Sequence, residues 1–352
     1  NFRYIILSLT QKLILWYEEN KRSFLWRESK DPYKVWLSEI ILQQTKTEQG
    51  LPYFKRFLDA YPTIRDLALA NEDEVLKLWQ GLGYYSRARN LHFTAQYINN
   101  ELEGSFPNTF ESLIKLKGVG DYTASAISSI CFGIPQAVVD GNVYRFLSRY
   151  FGILTPIDSS RAHKEFKFKA MNLIGNFHPG TFNQAMMEFG SLHCTYKNPK
   201  CSSCPFAKKC IALNQNKISR LPVKTLRIKI KKRYFNYLVL TDSQDHYVFE
   251  KRTDKGIWQN LYQFPLLESM KPIKSEKTLL AHPDFPKKFN PIDKSIKLCN
   301  PLPIIHRLSH QSLEVNFWQI KVKKKLTNSI SKESLKKFAV PVIIDNFIKK
   351  FF

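Results

Sequence analysis

The chain has 352 residues, more than a single hydrophobic core usually contains, and this length predicts two domains. Its 43% hydrophobic content excludes a largely disordered protein. The formal net charge of +24 predicts a polyanionic partner; nucleic acid is the first candidate, and a lysine-rich proteome is the alternative explanation.

The apolar N-terminal run predicts a helix of the core. Its leucines and isoleucines between Ile5 and Leu15 are spaced as in an amphipathic helix, and Gln11 and Lys12 interrupt the run. No small-residue cleavage site follows, which argues against a signal peptide. No stretch of the chain reaches about 18 uninterrupted apolar residues, so we expect no membrane span.

Helix start signals recur in the first two-thirds of the chain. Asp31 followed by Pro32 predicts an N-cap with proline at the first helical position. Asn71 together with Glu74 predicts a capping box, in which side chain and backbone bond reciprocally. These signals favour short, well-delimited helices.

A further helix is predicted between residue 159 and Ile174. Either Ser159 or Ser160 is a suitable N-cap for it, and Gly175 supplies its stop. We find no alternating strand pattern before about residue 232. The sequence therefore predicts an all-α domain over residues 1–218.

The composition of the chain changes after this domain. Residues 219–233 are basic, contain Pro222 and are typical of an exposed linker. Beyond them, alternating apolar residues predict strands, and the C-terminal segment looks helical despite Pro341. The predicted strands are Tyr234–Leu240, His246–Lys251 and Leu313–Val322, and the predicted helix is Ser331–Lys350. We therefore expect an α+β domain over residues 234–352.

Four of the six cysteines lie close together and predict a metal site. Their spacing is C-x6-C-x2-C-x5-C, and such short gaps let one loop bring four thiolates to a [4Fe–4S] cluster. A structural zinc ion also takes four thiolates, so the spacing alone leaves zinc open. The clustered residues are Cys194, Cys201, Cys204 and Cys210. Cys131 and Cys299 are isolated, which argues against a disulfide framework.

A glycine-containing turn joins two predicted helices, Phe110–Lys115 and Tyr122–Ile130. Gly118 and Gly120 let the backbone come close to a ligand, and the second helix directs its N-terminal amides outward. Such a hairpin can hold a DNA phosphate without reading the base sequence. On this pattern alone, a plain tight turn remains the alternative.

Three further motifs carry a family resemblance. They are WLSEIILQQT at Trp36–Thr45, GLGYYSRARNL at Gly81–Leu91 and VDGNV at Val139–Val143. With the hairpin and the cysteine loop, they resemble the endonuclease III superfamily and, within it, the MutY family of adenine DNA glycosylases. The resemblance implies an all-α helix-hairpin-helix glycosylase domain with a [4Fe–4S] loop, because the cysteine spacing is that of the family.

Two carboxylates are the candidate catalytic groups. Glu39 lies among apolar residues, and burial raises the pKa of a carboxyl so that it keeps its proton near neutrality. Asp140 looks like a helix N-cap, whose amides would keep it ionised. A surface glutamate and a plain cap are the alternatives. The resemblance implies that Glu39 protonates adenine and helps to activate the nucleophile, and that Asp140 stabilises the cationic sugar. Tyr122 and Asn142 match supporting active-site groups.

Position 122 also bears on strand cleavage. Relatives that cut the strand carry a nucleophilic lysine there, and a Schiff base requires an amine, so Tyr122 predicts a monofunctional glycosylase. The target base must leave the stack before it reacts. The resemblance implies that Tyr84 then wedges into the duplex and that Gln44 contacts the orphaned base. The other expected DNA-contacting residues are Thr45, Leu82, Gly118 and Gly120.

The segment Trp258–Pro265 resembles the Nudix-like C-terminal domain of the same family. A hydrolytic Nudix enzyme needs a helix dense in glutamate to hold metal. Residues 266–280 offer only Glu268 and Glu276, so we expect this domain to recognise its ligand without hydrolysing it.

The tripeptide Leu308-Ser309-His310 resembles the family's loop that reads 8-oxoguanine opposite adenine. Leucine replaces the family's phenylalanine at its first position, so the stacking ring is missing. Ser309 and His310 keep groups that form hydrogen bonds with a base. A polar turn before a strand is the alternative.

The expected partner is double-stranded DNA containing an A:8-oxoG or A:G mispair. We expect a monomeric, cytoplasmic, nucleoid-associated protein. One alternative is a bifunctional endonuclease III-like glycosylase and lyase acting on oxidised pyrimidines, against which Tyr122 argues. A second alternative is a non-catalytic DNA-binding module, against which the presence of both Glu39 and Asp140 argues.

Overall fold

The computed structural model of the protein describes residues 8–225, 230–285, 294–323 and 325–352. The chain forms two compact units. One unit contains Asn1–Leu69 and Asn90–Leu226, and the other contains Ala70–Arg89 and Arg227–Phe352. Within the described ranges, no helix combines the length and the apolar character that a membrane span requires.

The segment Ala70–Arg89 belongs to the second unit. The sequence-based division kept this segment in the N-terminal domain, and that division stays a prediction. Inside the second unit, the carboxylate of Asp73 accepts hydrogen bonds from Lys251 Nζ at 2.5 Å and from the Tyr262 hydroxyl at 3.1 Å. Lys77 Nζ donates to the carbonyl oxygen of Phe338 at 2.9 Å. Polar contacts therefore tie this early segment to the C-terminal part of the chain.

Helices make up most of the chain before residue 225. In chain order the α-helices are α1 Leu9–Asn20, α2 Pro32–Leu42, α3 Thr47–Ala60, α4 Ile64–Leu69, α5 Glu72–Leu78, α6 Ser86–Glu101, α7 Phe110–Leu113, α8 Asp121–Cys131, α9 Gly141–Phe151, α10 Ala162–Ile174, α11 Pro179–Leu192, α12 Ile211–Asn214, α13 Glu276–Leu280 and α14 Val342–Phe351. Short 3₁₀ helices lie at Leu25–Arg27, Ala207–Lys209, Ile218–Arg220 and Glu333–Lys337.

Side-chain caps explain where several helices begin. Asp31 accepts a hydrogen bond from the backbone amide of Tyr33 at 2.9 Å and Pro32 opens α2, so the predicted N-cap is confirmed. Asn71 caps α5 by accepting from the backbone amide of Asp73. The reciprocal bond of the predicted capping box with Glu74 is not among the contacts of this cap. The predicted N-terminal helix begins at Leu9, and residues 5–7 lie outside the described residues.

Helix α10 begins differently from the prediction. Arg161 occupies its N-cap position without a side-chain hydrogen bond, and the Ser159 hydroxyl donates instead to the carbonyl oxygen of Pro156 at 2.7 Å. The predicted serine cap is therefore wrong, because the preceding turn uses the hydroxyl. The predicted stop is confirmed: Gly175 follows the last helical residue with φ of +54°.

The core of the first unit lies among α1, α9, α10 and α11. Large side chains from these helices are almost completely buried against one another: Leu13, Phe146, Phe166, Phe182 and Phe189. Burial of this kind contributes about 25 cal/mol for each Å² of apolar surface removed from water. This packing holds α9 against α11, and residues of α11 also line the candidate site.

The second unit is built on a mixed β-sheet. Its strands are β1 Lys231–Thr241, β2 His246–Val248, β3 Glu250–Lys251, β4 Tyr262–Gln263, β5 Leu266–Ser269, β6 Lys294–Leu298, β7 Ile304–Arg307, β8 Gln311–Val322 and β9 Ser329–Ser331. The main sheet has the order β6-β8-β1-β2-β9, with β5 paired to β1 and β7 to β8. Strands β1 and β8 run parallel over their whole length. The predicted strands Tyr234–Leu240 and Leu313–Val322 are confirmed. The predicted strand His246–Lys251 is divided into β2 and β3, and β3 pairs with β4 in a separate two-stranded sheet.

Two sequence-based expectations about this half of the chain need correction. The predicted linker is only partly exposed, because Leu221 is buried and its carbonyl oxygen accepts from Arg149 Nε at 3.1 Å. Residues 226–229 of that linker lie outside the described residues, and its last three residues belong to β1. The predicted C-terminal helix is interrupted before Pro341, which lacks a backbone N–H and directly precedes α14.

Candidate active site

Glu39 lies on α2, a helix that is buried over most of its length. Its side chain is buried, with 8% of the residue exposed. Burial raises the pKa of Glu39 from 4.5 to about 7; a hydrogen bond from Tyr122 acts to lower it, and the charge of Asp140 raises it further. The sequence-based expectation of a buried carboxyl with a raised pKa is confirmed. Such a group carries a proton close to neutral pH.

Asp140 is the N-cap of α9, as its sequence position predicts. Its Oδ1 accepts from the backbone amides of Asn142 at 2.9 Å and Val143 at 2.8 Å, and its Oδ2 accepts from Asn142 Nδ2 at 2.7 Å. Burial raises the pKa of Asp140, and these hydrogen bonds oppose the rise. The amides lower the pKa of Asp140, as the sequence predicted, but the sequence did not show that burial raises the same pKa.

Tyr122 is the second residue of α8 and contacts Glu39. Its hydroxyl forms a hydrogen bond with the Glu39 carboxyl, and its oxygen lies 3.4 Å from Met187 Sδ. Burial, together with the charges of Glu39 and Asp140, holds the pKa of Tyr122 well above its ordinary value. The phenol therefore stays protonated and acts as a hydrogen-bonding group at this site.

Glu39, Tyr122 and Asp140 line one recess in the first unit. The recess consists of two cavities of about 200 Å³ and about 480 Å³, and these three residues line both. Asn142 lines the first part, and Gln44 lines the second part. The two candidate catalytic carboxylates therefore face a shared space.

The cavity has an additional charged wall that sequence reasoning missed. Glu188 on α11 accepts hydrogen bonds from Arg22 Nε at 2.8 Å and from Arg27 Nη2 at 2.7 Å. Burial acts to raise the pKa of Glu188, but hydrogen bonds from both arginines lower it to about 2. All three residues line the cavity. The available signal was that Glu188 is the single charged residue in the sequence of α11.

The predicted hairpin between α7 and α8 is present. Gly118 has φ of +79°, and a Cβ added to it would lie 2.7 Å from Asn90 Cβ, so the turn requires glycine there. Gly120 is the N-cap of α8 and has open space around it. The Thr94 hydroxyl donates to the carbonyl oxygen of Lys117 at 2.8 Å and holds the turn. An open backbone at a helix N-terminus leaves room for a phosphate.

Asp121 is the first residue of α8, after the N-cap position at Gly120. Its carboxylate forms an ion pair with Lys167 Nζ at 2.6 Å and lies 3.1 Å from His163 Nε2. Both partners lie on α10. The acidic residue at the start of α8 is therefore matched by basic side chains from α10.

The turn after α2 carries two predicted DNA-contacting residues. Gln44 has φ of +54°, and the Thr45 hydroxyl donates to the carbonyl oxygen of Gln43 at 3.3 Å. Gln44 and Thr45 each line part of the recess that contains Glu39. The structure thus brings them to the edge of the candidate site, whereas their DNA contacts stay predictions.

Four more predicted DNA-contacting residues lie in the second unit. Tyr84 has φ of +46° and is 43% exposed, and its hydroxyl is hydrogen bonded to the hydroxyl of Ser309. Ser309 and His310 are exposed between β7 and β8. Leu82 is buried in the same unit and offers little surface to a ligand. The wedge and reading-loop candidates are therefore neighbours.

The four clustered cysteines line one pocket in the first unit, with apolar side chains around them. Arg149 lies against this pocket, is 2% exposed, and donates to Cys194 Sγ at 3.5 Å and to the carbonyl oxygen of Thr195 at 2.7 Å. Within the described part of the chain, no three Cys, His, Asp or Glu side chains are grouped closely enough to hold a single metal ion.

The sequence profile of the HhH-GPD superfamily, described as base excision DNA repair proteins, matches residues 37–171. The NUDIX domain profile matches residues 236–350. The adenine DNA glycosylase of Buchnera aphidicola subsp. Schizaphis graminum is 38% identical over 312 residues, which are 88% of this chain and 86% of that protein. The chain belongs to the adenine DNA glycosylase family.

Other adenine DNA glycosylases are similarly related. The Homo sapiens protein is 42% identical over 216 residues, which are 59% of this chain and 40% of that protein. The Arabidopsis thaliana protein is 36% identical over 293 residues, covering 72% of this chain and 46% of that protein. As a member of this family, the chain is a DNA glycosylase, a hydrolase of N-glycosyl bonds.

Solved structures support the assigned fold. A thermostable thymine-DNA glycosylase superposes with a TM-score of 0.55 at 28% identity, covering 58% of this chain and 95% of that protein. An endonuclease III in a trapped covalent complex with DNA superposes with a TM-score of 0.52 at 23% identity, covering 59% and 94%. The predicted fold class, a helical helix-hairpin-helix domain followed by an α+β Nudix-like domain, is confirmed.

Proposed function

We propose that this DNA glycosylase removes adenine mispaired with 8-oxoguanine or guanine in duplex DNA, by hydrolysis and without cutting the strand. The observation that carries the proposal is the pairing of two unlike carboxyls in one recess. Glu39 is buried with a pKa near 7, whereas Asp140 accepts three hydrogen bonds. Burial raises the pKa of both carboxyls, but the three hydrogen bonds favour the ionised form of Asp140. We therefore assign Glu39 as the acid and Asp140 as the anion.

The chemistry that suits these groups is acid-assisted departure of the base. Protonated Glu39 gives its proton to a ring nitrogen of adenine while the bond between the sugar carbon and the base nitrogen breaks. The sugar becomes cationic, and the carboxylate of Asp140 stabilises that charge. Water then adds to the sugar carbon, and its released proton returns to Glu39. The products are free adenine and an abasic site.

The base reaches these groups only outside the helix stack. The recess beside Glu39 offers a cavity of about 200 Å³ next to a more open space, which suits a flipped nucleoside. In our proposal Tyr84 fills the gap left in the duplex, and Gln44 contacts the remaining base. The hairpin of Gly118 and Gly120 holds a phosphate.

The absence of strand cleavage rests on the side chains around the recess. In the described part of the chain, the residues that line it include arginines but no lysine. Tyr122 occupies the position at which a lyase carries its amine, and a protonated phenol forms no Schiff base. Excision should therefore end at an intact strand with an abasic site.

Preference for 8-oxoguanine is proposed to lie in the loop of Ser309 and His310. Both side chains are exposed and able to form hydrogen bonds with the oxidised base. The hydrogen bond between Tyr84 and Ser309 brings this loop beside the proposed wedge. The Nudix-like unit thus acts in recognition, and the proposed acting form is a monomer at the nucleoid.

A [4Fe–4S] cluster held by Cys194, Cys201, Cys204 and Cys210 completes the proposal. Thiolates are the ligands that such clusters take, and the cluster would contribute folding energy and shape to the surrounding loop. Arg149 supports the fit: it is a buried cation that, among the described residues, contacts no carboxylate, and a buried charge needs a counter-charge. Purified protein should contain about four iron atoms per chain; zinc in place of iron would contradict this assignment.

Single-turnover excision tests the function directly. The substrates are duplexes that carry one adenine opposite 8-oxoguanine, guanine or cytosine, and the readout separates base loss from strand nicking. We expect A:8-oxoG to react fastest and no nicking before alkali treatment. Glu39→Gln should lower the rate at least about 100-fold while duplex binding persists. Glu101→Gln, on the exposed end of α6, is the matched control.

Equal rates on all three duplexes would remove the role proposed for Ser309 and His310. A Glu39→Gln variant as active as the wild type would remove the proposed acid. Duplex binding without any excision by the wild type would instead favour a non-catalytic binding module.

A further inference from the structure

The segment from Arg22 to Arg27 forms one side of the cavity that contains Glu39. It leaves the end of α1 and includes the 3₁₀ helix Leu25–Arg27. Aromatic contacts order it: the ring of Phe24 stacks on Trp26 with 4.9 Å between centroids. The guanidinium groups of Arg22 and Arg27 lie 5.1 and 4.8 Å from the centre of the Phe24 ring. Sequence-local contacts thus shape this wall.

One carboxylate fastens the wall to the rest of the first unit. Glu188 accepts from the backbone amide of Arg22 at 3.0 Å, from its Nε at 2.8 Å and from its Nη2 at 3.0 Å. It also accepts from Arg27 Nη2 at 2.7 Å, and only 1% of its side chain is exposed. Four charge-assisted bonds to one buried carboxylate make a rigid junction. Glu188 therefore fixes where both cations lie.

The same junction sets the charge beside the catalytic acid. The positive charge of Arg27 acts to lower the pKa of Glu39, whereas the negative charge of Asp140 raises it. The junction holds two arginines and one glutamate, so its formal charge is +1, and without the glutamate it would be +2. Glu188 thereby offsets part of the positive charge that faces Glu39.

We propose that Glu188 is a positioning residue for base excision, which anchors the Arg22–Arg27 wall against the bound base and shields Glu39 from the charge of Arg27. This inference rests on the proposed function, because it assumes that Glu39 delivers a proton. Glu188 itself touches no reacting atom in this proposal. It acts through Arg27, and its loss should change the pH at which the enzyme works as well as its rate.

The charged and titratable groups that face Glu39 come from several elements. Tyr122 lies on α8, Asp140 caps α9, and Arg27 ends the 3₁₀ helix, with Arg22 and Glu188 behind it. A substitution of Glu188 changes only one of these charges directly. The pH profile therefore reports on this junction separately from the other groups.

The test is the single-turnover rate of adenine excision from an A:8-oxoG duplex between pH 5 and pH 9. Activity falls at high pH as Glu39 loses its proton. In Glu188→Gln, the uncompensated charge of Arg27 favours that loss, so the high-pH fall should move down by roughly one pH unit. Glu188→Asp keeps the charge, and its fall should stay at the wild-type pH even if the shorter side chain lowers the rate.

Two controls separate charge from structure. In the double variant Glu188→Gln with Arg27→Gln, the loss of activity at high pH should return to the wild-type pH or move above it, because the positive charge of Arg27 is removed. Glu101→Gln should keep the wild-type profile. A profile of Glu188→Gln that keeps the wild-type midpoint, with only the rate reduced, would overturn the inference and leave the proposed function intact. Failure of the wild-type protein to release adenine would instead refute the function.

Discussion

The buried carboxyl of Glu39 lowers the stability of the fold at high pH, because burial disfavours its ionised form. Its pKa of about 7 in the folded protein compares with 4.5 for an ordinary glutamate. Because the folded state binds this proton more tightly than the unfolded chain does, the linked stability is fully present below pH 4.5. It is lost as the pH rises to about 7, and it stays lost above that pH.

Replacement of the acid by its neutral isostere should therefore stabilise the fold at high pH. Glu39→Gln needs no deprotonation penalty, so we expect its free energy of unfolding to exceed that of the wild type at pH 8 by on the order of 3 kcal/mol. At pH 4.5 the two proteins should differ little. Urea unfolding at both pH values measures this, and a difference of equal size at both would contradict it.

A second residue-scale prediction concerns Tyr122. Its hydroxyl meets both Glu39 and Met187, so a lysine at this position would place an amine inside the recess. Tyr122→Lys should form a Schiff base with the sugar, which borohydride traps as a covalent protein–DNA complex. The wild type and a Tyr122→Phe control should give no trapped complex. Trapping by the wild type would show that the enzyme is a lyase.

Local chemistry made the two catalytic candidates visible in the sequence. The apolar neighbours of Glu39 predicted its burial, and the glycine and asparagine after Asp140 predicted its role as a helix cap. The junction of Glu188 with Arg22 and Arg27 could not be predicted from the sequence. Glu188 is 166 residues from Arg22 and 161 residues from Arg27 in the chain. Pairings over such distances depend on tertiary packing, which no local pattern encodes.

The two glycines of the hairpin between α7 and α8 differ in backbone conformation and in surroundings. Gly118 combines φ of +79° with a close approach to Asn90, whereas Gly120 has an ordinary φ of −93° and open surroundings. Gly118→Ala should therefore cost about 1–3 kcal/mol of stability. Gly120→Ala should unfold like the wild type, but its methyl group should keep a phosphate away and weaken duplex binding.

Thermal unfolding and fluorescence anisotropy with an undamaged duplex measure the two effects separately. A Gly120→Ala protein with wild-type affinity would mean that DNA does not approach this part of the backbone. A Gly118→Ala protein of wild-type stability would mean that the turn relaxes without penalty.

Elements with self-contained signals were predicted well, and elements decided by neighbours were not. Asp31 and Pro32 define the start of α2 by themselves. Ser159 has the right chemistry for a cap, yet its hydroxyl bonds to the preceding turn. Leu221 looked like linker but is buried beside Arg149. In both cases a competing partner from tertiary structure overrode the local preference.

For the whole molecule, the net charge of +24 predicts a strong electrolyte effect on DNA binding. Each phosphate contact releases counter-ions, so the logarithm of affinity should fall with the logarithm of salt concentration at a slope of roughly −4 or steeper. Mispaired and fully paired duplexes should share this slope, because phosphate contacts carry no base information. Anisotropy titrations between about 50 and 200 mM salt measure this slope. A slope near −1 would contradict the prediction.

The membership of Ala70–Arg89 in the second unit has a consequence for synthesis. Asp73 leaves the ribosome long before Lys251 and Tyr262, the residues that it meets in the finished protein. During synthesis Asp73 therefore lacks these two hydrogen-bond partners until the C-terminal part of the chain has been translated. A fragment expressed from residue 230 onward would lack the Ala70–Arg89 part of its own unit. The C-terminal half of this chain is therefore not a self-contained module that can be transferred to another protein.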